Sequence, residues 1–309
     1  MKPTCKAGDR RRTPWFALIM LASLGCESSD RITSNSSPEQ RQPALSPALS
    51  SASGIPFGAF HQPVSLYGPI YTGGLLNPLA PESLLSRLSE IRAASGRVVL
   101  VLPGGPAKYV NADGTFNFEL WKSRVARYSV VDFASYINDG TVLGNFLIDQ
   151  PDCSSCWGGQ VIPQSVIEDM AQYSKSIWPE MTTIVRSDPT YLDDFAGSYS
   201  DLDAGWAQYV VRKGDVNAYL SANVAAAQSK GLRLVVGLNL LNGGLDRASL
   251  TASQIKSFGS TLLGSAYACA FISWQYDATY FSRTDIKSAL ELLSKKAKRH
   301  AATTCYRPD

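Results

Sequence analysis

The sequence predicts a (β/α)8 barrel of the TIM type, a single α/β domain preceded by an export signal and a linker. Three observations point to it. Beyond Ile55, short apolar runs alternate with longer amphipathic stretches, the pattern of βα units around a parallel sheet. The short runs are rich in Val, Ile and Leu, as strands covered on both faces are. About 255 residues carry six or seven such units, the usual size of this barrel.

The elements follow in chain order. The first strand, Pro56–Phe60, ends in His61-Gln62, and a helix pattern spans Pro81–Ala94. The second, Val98–Leu102, runs into Pro103-Gly104-Gly105, a loop that lets a ligand approach the backbone, and precedes a helix over Phe118–Ile137. The third, Gly144–Asp149, is stopped by Pro151 and followed by a helix over Pro163–Ile177. The fourth, Thr183–Asp188, ends in Arg186-Ser187-Asp188-Pro189. The fifth, Trp206–Val211, carries Gln208 and Tyr209 and leads to a helix over Asp215–Lys230. The sixth, Leu232–Leu240, ends near Asn239 and Asn242-Gly243-Gly244, with a helix over Thr251–Leu263 behind it. The last, Ala270–Tyr276, runs through Trp274-Gln275-Tyr276 to Asp277, and a helix covers Thr284–His300. Seven strands are clear. The eighth is expected within Val64–Thr72 or around Lys108–Val110, unless the barrel is irregular. A doubly wound open sheet is the alternative, but no Gly-x-Gly-x-x-Gly turn follows the first strand.

The N-terminal segment is of another kind. Basic residues precede an 11-residue apolar run, Trp15–Gly25, too short to span a bilayer and right for an export signal. The run ends in Leu21-Ala-Ser-Leu-Gly-Cys26, similar to a bacterial lipobox, which makes Cys26 the expected lipidation site. The match departs at Ser23 and Leu24, and a plain cleaved signal is the alternative. Residues 1–26 are therefore assigned to the signal. Residues 27–54 hold nine serines and three prolines with almost no large apolar side chains, the composition of a disordered linker. The barrel domain is assigned to 55–309. The localisation this implies is the cell envelope, as a lipoprotein, or the exterior.

Net charge is +3, but residues 1–25 hold five basic residues and one acidic. Without them 24 basic residues face 25 acidic, so the remainder has no cationic excess with which to bind nucleic acid. The whole sequence has two histidines, His61 and His300, which argues against zinc sites and histidine triads. No cofactor is expected. Any chemistry must run on carboxylates.

Cys5 and Cys26 belong to the signal, leaving four cysteines and three possible pairings. We favour Cys153–Cys156, stapling a loop, and Cys269–Cys305, tying the tail to the last strand. A Cys-x-x-Cys can also be a redox pair or half a zinc site. Here no second such pair or nearby histidine completes a metal set.

In barrels of this kind the active site lies at the C-terminal ends of the strands. Three of the seven ends finish in or beside an aspartate: Asp149, Asp188 and Asp277. The strand end Leu147-Ile148-Asp149-Gln150-Pro151 and the aromatic last strand resemble those of the glycoside-hydrolase-like TIM barrels, across roughly residues 55–300. That superfamily often carries its acid on a glutamate where this chain has Gln150, and no glutamate lies at any strand end. The resemblance implies the fold and an oligo- or polysaccharide ligand, while the two-glutamate retaining arrangement does not carry over.

Weighed as residues, Asp149 is a catalytic or substrate-binding carboxylate, or a partner of Arg186. Arg186 and Asp188, two apart on one strand, share a face and bind substrate hydroxyls or neutralise each other. Asp277 is the second carboxylate of a glycosidase pair or a turn cap before Thr279. His61, Gln150, Trp206, Gln208, Asn239, Trp274 and Tyr276 are the candidate substrate contacts, since flat rings and amides suit sugar faces and hydroxyls. Trp157, Tyr209 and Tyr280 lie near strand ends too, and core packing is the commoner fate of such rings.

The leading reading is an extracytoplasmic glycoside hydrolase, anchored to the membrane by lipid, in which Asp149 works with Asp277 or Asp188. The runner-up is a non-catalytic carbohydrate-binding lipoprotein on a degenerate barrel. A third reading, a surface protein that contacts other proteins, rests on the linker alone.

Overall fold

The computed structural model describes residues 54–307; the expected export signal with Cys26, and the expected linker up to residue 53, lie outside the described residues. Eight parallel strands close into a barrel in chain order. They are β1 (Phe57–Phe60), β2 (Gly73–Leu75), β3 (Arg97–Leu100), β4 (Val142–Asp149), β5 (Thr183–Arg186), β6 (Ala204–Tyr209), β7 (Arg233–Leu238) and β8 (Ala268–Ser273). β1 pairs with both β2 and β8, which closes the ring. The helices are α1 (Pro81–Ala93), α2 (Phe118–Ala126), α3 (Ala134–Asn138), α4 (Gln164–Ile177), α5 (Pro189–Asp193), α6 (Val216–Ser229), α7 (Ala252–Leu262), α8 (Ala278–Ser282) and α9 (Thr284–Arg299).

The eighth strand is β2, and it lies in neither segment proposed for it. It begins one residue past Val64–Thr72 and holds two glycines, so no apolar run betrays it. The glycines answer to a steric demand. A Cβ on Gly73 would fall 2.6 Å from the Cβ of Pro56, and one on Gly74 2.4 Å from the Tyr67 hydroxyl, so neither position leaves space for a side chain. The long helix expected over Phe118–Ile137 is also broken. Its second part restarts at α3 after Val130-Val131, where the Asp132 carboxylate accepts the Ala134 backbone N–H at 2.9 Å. β-branched residues and a side chain competing for backbone donors disfavour an unbroken helix there.

Side chains fill the barrel. Phe60, Leu75, Val99, Phe146, Ile184, Trp206, Val235 and Ile272, one from each strand, form a single buried cluster. The alternate residues face the helices, as where Leu84, Leu88 and Ile91 of α1 join Val98 and Leu100 of β3. Strands buried on both faces explain the unbroken Val/Ile/Leu runs. Among the described residues no helix is long and apolar enough to cross a membrane.

Both favoured disulfides form: Cys153–Cys156, with Cα atoms 5.3 Å apart, and Cys269–Cys305, with Cα atoms 5.1 Å apart. The second lies at the N-terminal end of the barrel, where the residues after α9 fold across it. Cys305 joins the interior cluster. Beside it, buried Asp203 accepts Nζ of Lys175 at 2.8 Å and the backbone N–H groups of Thr183 and Arg307 at 2.8 and 3.0 Å. Arg307 in turn donates to the carbonyls of Tyr199 and Ser200. The Cys269–Cys305 link spans a sequence separation of 36, so in the chain-entropy model its loss lowers stability by about 2–4 kcal/mol. Urea denaturation of a Cys269→Ala/Cys305→Ala variant measures this. An unchanged midpoint would show that the tail is held by its polar contacts alone.

Candidate functional site

The C-terminal mouth is organised by a line of charged and amide groups running across four strands. Asp149 closes β4 and Arg186 closes β5, and the two are register partners. Nε of Arg186 donates to Oδ1 of Asp149, and its Nη1 donates to Oε1 of Gln208 on β6. Gln208 Nε2 continues the line, donating to the carbonyl of Leu238 on β7 at 3.1 Å. The guanidinium carbon lies 5.6 Å from the centre of the Phe60 ring below it. A planar donor with two acceptors and an aromatic face is held in one orientation.

A second group stands beside it. Asp188, just before α5, accepts from the Tyr219 hydroxyl at 2.7 Å and from Nζ of Lys213 at 2.5 Å. Burial, with the Asp188 carboxylate adding to it, pushes the Tyr219 hydroxyl well above its ordinary value, so it acts as a neutral donor. Lys213 sits in the turn between β6 and α6, and its Nζ also lies 4.9 Å from the Tyr219 ring centre. Arg186 and Asp188 are therefore neutralised by other residues, not by each other.

Between the two groups lies a small cleft of about 60 Å³. Gln150, Asp152, Arg186, Asp188, Gln208, Arg212, Lys213 and Asn239 line it, and Trp206 contributes from below. Trp206 is fully buried, its indole N–H donating to the carbonyl of Ile272 at 3.2 Å, so it presents a floor and not an exposed platform. Asp152 has one hydrogen-bonding partner among the described residues, the Ser187 hydroxyl at 3.2 Å. Gln150 occupies the left-handed region at φ 48°, an uncommon conformation for a residue with a Cβ and one that concentrates at functional sites. Its backbone is held on both sides: its N–H donates to Arg186, and its carbonyl accepts the Trp157 indole N–H at 2.8 Å. Trp157 is itself buried, stacked on Tyr109, and serves this anchoring role.

Asp149, Gln150, Arg186, Asp188, Trp206, Gln208 and Asn239 thus come together at the mouth between β4 and β7. The others lie elsewhere. Asp277 is exposed at the start of α8, where its carboxylate accepts the Tyr280 backbone N–H at 2.7 Å. Trp274 and Tyr276 are half-buried at the end of β8 and do not line the cleft; the peptide joining Trp274 to Gln275 is cis. Tyr209 and Tyr280 are core residues whose hydroxyls donate to the carbonyls of Gly214 and Leu250. His61 belongs to a different cavity, on the side of β1 and β2. The sequence reading overlooked Asp152, Lys213 and Tyr219. Asp152 is visible as the next carboxylate after Asp149, past Pro151. Nothing in the linear sequence links Lys213 or Tyr219 to Asp188. Among the described residues no group of three or more His, Cys, Asp or Glu is arranged to hold a metal ion.

Solved structures share this architecture. A beta-glucanase from Saccharophagus degradans superposes with a TM-score of 0.58 at 10% identity, over 80% of this chain and 88% of its own. The shared fold is the closed eight-stranded (β/α)8 barrel. Xylanase 10B from Thermotoga petrophila, solved with xylobiose, superposes with a TM-score of 0.50 at 10% identity, over 80% of this chain and 95% of its own. No family model matches the chain, and no curated protein matches it in sequence.

Proposed function

We propose that the protein is a carbohydrate-active barrel enzyme that hydrolyses a glycosidic bond in the cleft above β4–β7. The observation that carries this reading is the convergence of three carboxyl groups in different electrostatic settings at the mouth. Asp149 faces a guanidinium and Asp188 an ammonium, while Asp152 has, among the described residues, only a hydroxyl partner. Glycoside hydrolysis requires one carboxyl group to protonate the leaving oxygen and another to act as a carboxylate on water or on the sugar. Asp149 and Asp188 are held in place by their cations, which leaves Asp152 as the carboxyl free to move toward the leaving oxygen. Gln150 and Asn239 offer amides to sugar hydroxyls over the Trp206 floor, and Gln208 holds Arg186 in place beside them. Export behind residues 1–26, an oxidising compartment that keeps both disulfides, and a lipid anchor at Cys26 complete the reading. The expected ligand is an oligo- or polysaccharide.

A specific feature favours a second reading, a non-catalytic carbohydrate-binding lipoprotein. Gln150 stands where the resembling enzymes carry an acid, and two of the three carboxylates already have cations. A panel of oligo- and polysaccharides, assayed in parallel for new reducing ends and for binding, separates the two. Release of reducing ends from a bound saccharide is the expected result; saturable binding with no cleavage of any bound saccharide selects the second reading.

A further inference from the structure

The C-terminal half of α9 carries a stripe of cations on the outer surface of the barrel. Leu292, Lys295, Lys296 and Arg299 stand at i, i+3, i+4 and i+7 and so share one face of the helix. All four are exposed, Leu292 to 38%, while Leu290, Leu293 and Ala297 turn inward to the core. Among the described residues Lys295, Lys296 and Arg299 have no ion-pair partner. Acids are scarce around them. Those of α9 are Asp285, which Arg283 holds at 2.8 Å, and half-buried Glu291. The helix packed against it, α7, has a single charged residue, Lys256. Cations in a last turn complement the helix dipole. That role does not explain the exposed leucine among them, or the extension of the stripe back to Lys295. Without residues 1–25 the chain has 24 basic residues and 25 acidic, so a polyanionic surface is attracted by this corner and not by the protein as a whole.

The stripe also lies where the chain enters the barrel. The Ile55 N–H donates to the carbonyl of Ala297 at 3.0 Å, and Nζ of Lys298 donates to the carbonyl of Pro69. A Cβ on Gly54 would collide with the backbone of Ala297 and Lys298. Ile55 leads directly into β1, so the last turn of α9 is at the N-terminal end of the barrel, opposite the cleft. Cys26 precedes Gly54 by 28 residues. A membrane that holds residue 26 therefore keeps this corner within about 100 Å, the extended length of that segment.

We propose that the Lys295–Lys296–Arg299 face of α9 docks on an anionic phospholipid surface, with Leu292 entering the headgroup layer and the cleft directed away from the membrane. The choice of a membrane as occupant rests on the reading of residues 1–26 as an envelope signal, but the face itself needs no acyl group on Cys26. Each Lys or Arg beside such a surface strengthens partitioning about fivefold. The test is sedimentation of residues 27–309 with phospholipid vesicles; this piece keeps the whole closed barrel and omits both the apolar run and Cys26. Binding is expected on vesicles containing phosphatidylglycerol, at least about tenfold weaker on pure phosphatidylcholine, and lost at ~1 M salt, where screening acts beyond about 3 Å. Lys295→Gln/Lys296→Gln/Arg299→Gln is expected to weaken partitioning about 100-fold at unchanged Tm, because all three side chains are exposed. Lys108→Gln/Lys122→Gln/Arg127→Gln removes the same charge from α2 and the residues flanking it, and is expected to stay within about threefold of the parent. Absence of binding to phosphatidylglycerol vesicles overturns the proposal, as do equal binding to both vesicle types and equal losses in the two triple variants. Release from the vesicles by duplex DNA at equal charge also overturns it, by making the face a general polyanion site. Vesicle binding as expected, beside a mature protein whose N-terminus carries no acyl group by mass, upholds this face while the lipid-anchor reading falls.

Discussion

Replacing Asp149 by asparagine is expected to lower turnover about 100-fold or more in a protein that still folds, the scale on which an acid, base or charged stabiliser is lost. Asparagine keeps the shape and most of the hydrogen bonding of the side chain. What it removes is the negative charge opposite Arg186, whose other contact, Gln208, is neutral. The Arg186 side chain is only 11% exposed and Asp149 34%, so the unpaired guanidinium destabilises by more than a surface pair and less than a buried one. A double variant, Asp149→Asn/Arg186→Gln, is expected to recover stability and not turnover. Activity near the parent level in Asp149→Asn, at an unchanged Tm, would remove Asp149 from the mechanism. The complementary change, Asp152→Asn, is expected to affect substrates unequally. Natural saccharides need a proton on the leaving oxygen, whereas nitrophenyl glycosides leave without one. A loss confined to the natural saccharides assigns the proton to Asp152; equal losses on both deny it.

The largest stability loss is expected at the opposite end of the barrel. Asp203→Ala removes a carboxylate that is 2% exposed and leaves behind the Lys175 ammonium and two backbone N–H groups. Breaking a buried charged contact in this way costs about 3–5 kcal/mol, and for a domain of this size each kcal/mol moves Tm by about 2–4 °C. A Tm drop of about 10 °C is the expected outcome; a change of a degree or two would show that Lys175 reaches water without it. Burial raises the Asp203 carboxyl above its ordinary value, outweighing the pull of Lys175 and the backbone donors. The folded state then holds this proton more tightly than the unfolded chain does. The contribution is full below the unfolded value, about 4, and is lost as pH rises through the folded one. The margin of the parent over Asp203→Asn should therefore be widest in acid and shrink as pH rises. A margin that grows with pH contradicts the assignment.

The barrel could be read from the sequence because buried parallel strands write themselves as apolar runs, and seven of the eight do so. β2 is the exception, for a reason internal to the fold: where Pro56 and Tyr67 leave no space for a Cβ, the chain supplies Gly73-Gly74 and the apolar signal vanishes. The sequence predicts the last strand too long, because Trp274 and Tyr276 continue the aromatic pattern past Ser273, where β8 ends and Trp274 makes only an isolated bridge to Asn239. At the mouth, strand ends were located by Pro151 and Pro189, which made Asp149 and Asp188 visible. Their partners were not. Lys213 and Tyr219 reach Asp188 from the turn after β6 and from α6, a proximity that only barrel curvature creates. His61 sits at a strand end as read, yet belongs to another cavity, because strand order does not say toward which side a turn presents its side chain.

The pairing of β1 with β8 also sets an order of events. Phe57 lies against Phe271, some two hundred residues further along, so no early segment can complete its sheet alone. A chain emerging from a ribosome carries β1 with one edge unpaired for nearly the whole of its synthesis. Only after β8 arrives can the ring shut, and the residues beyond α9 then fold across its base. Until that moment the nascent domain offers an open strand edge to any neighbour. Holding that edge away from other chains until β8 is made is the burden this topology places on the cell that synthesises it.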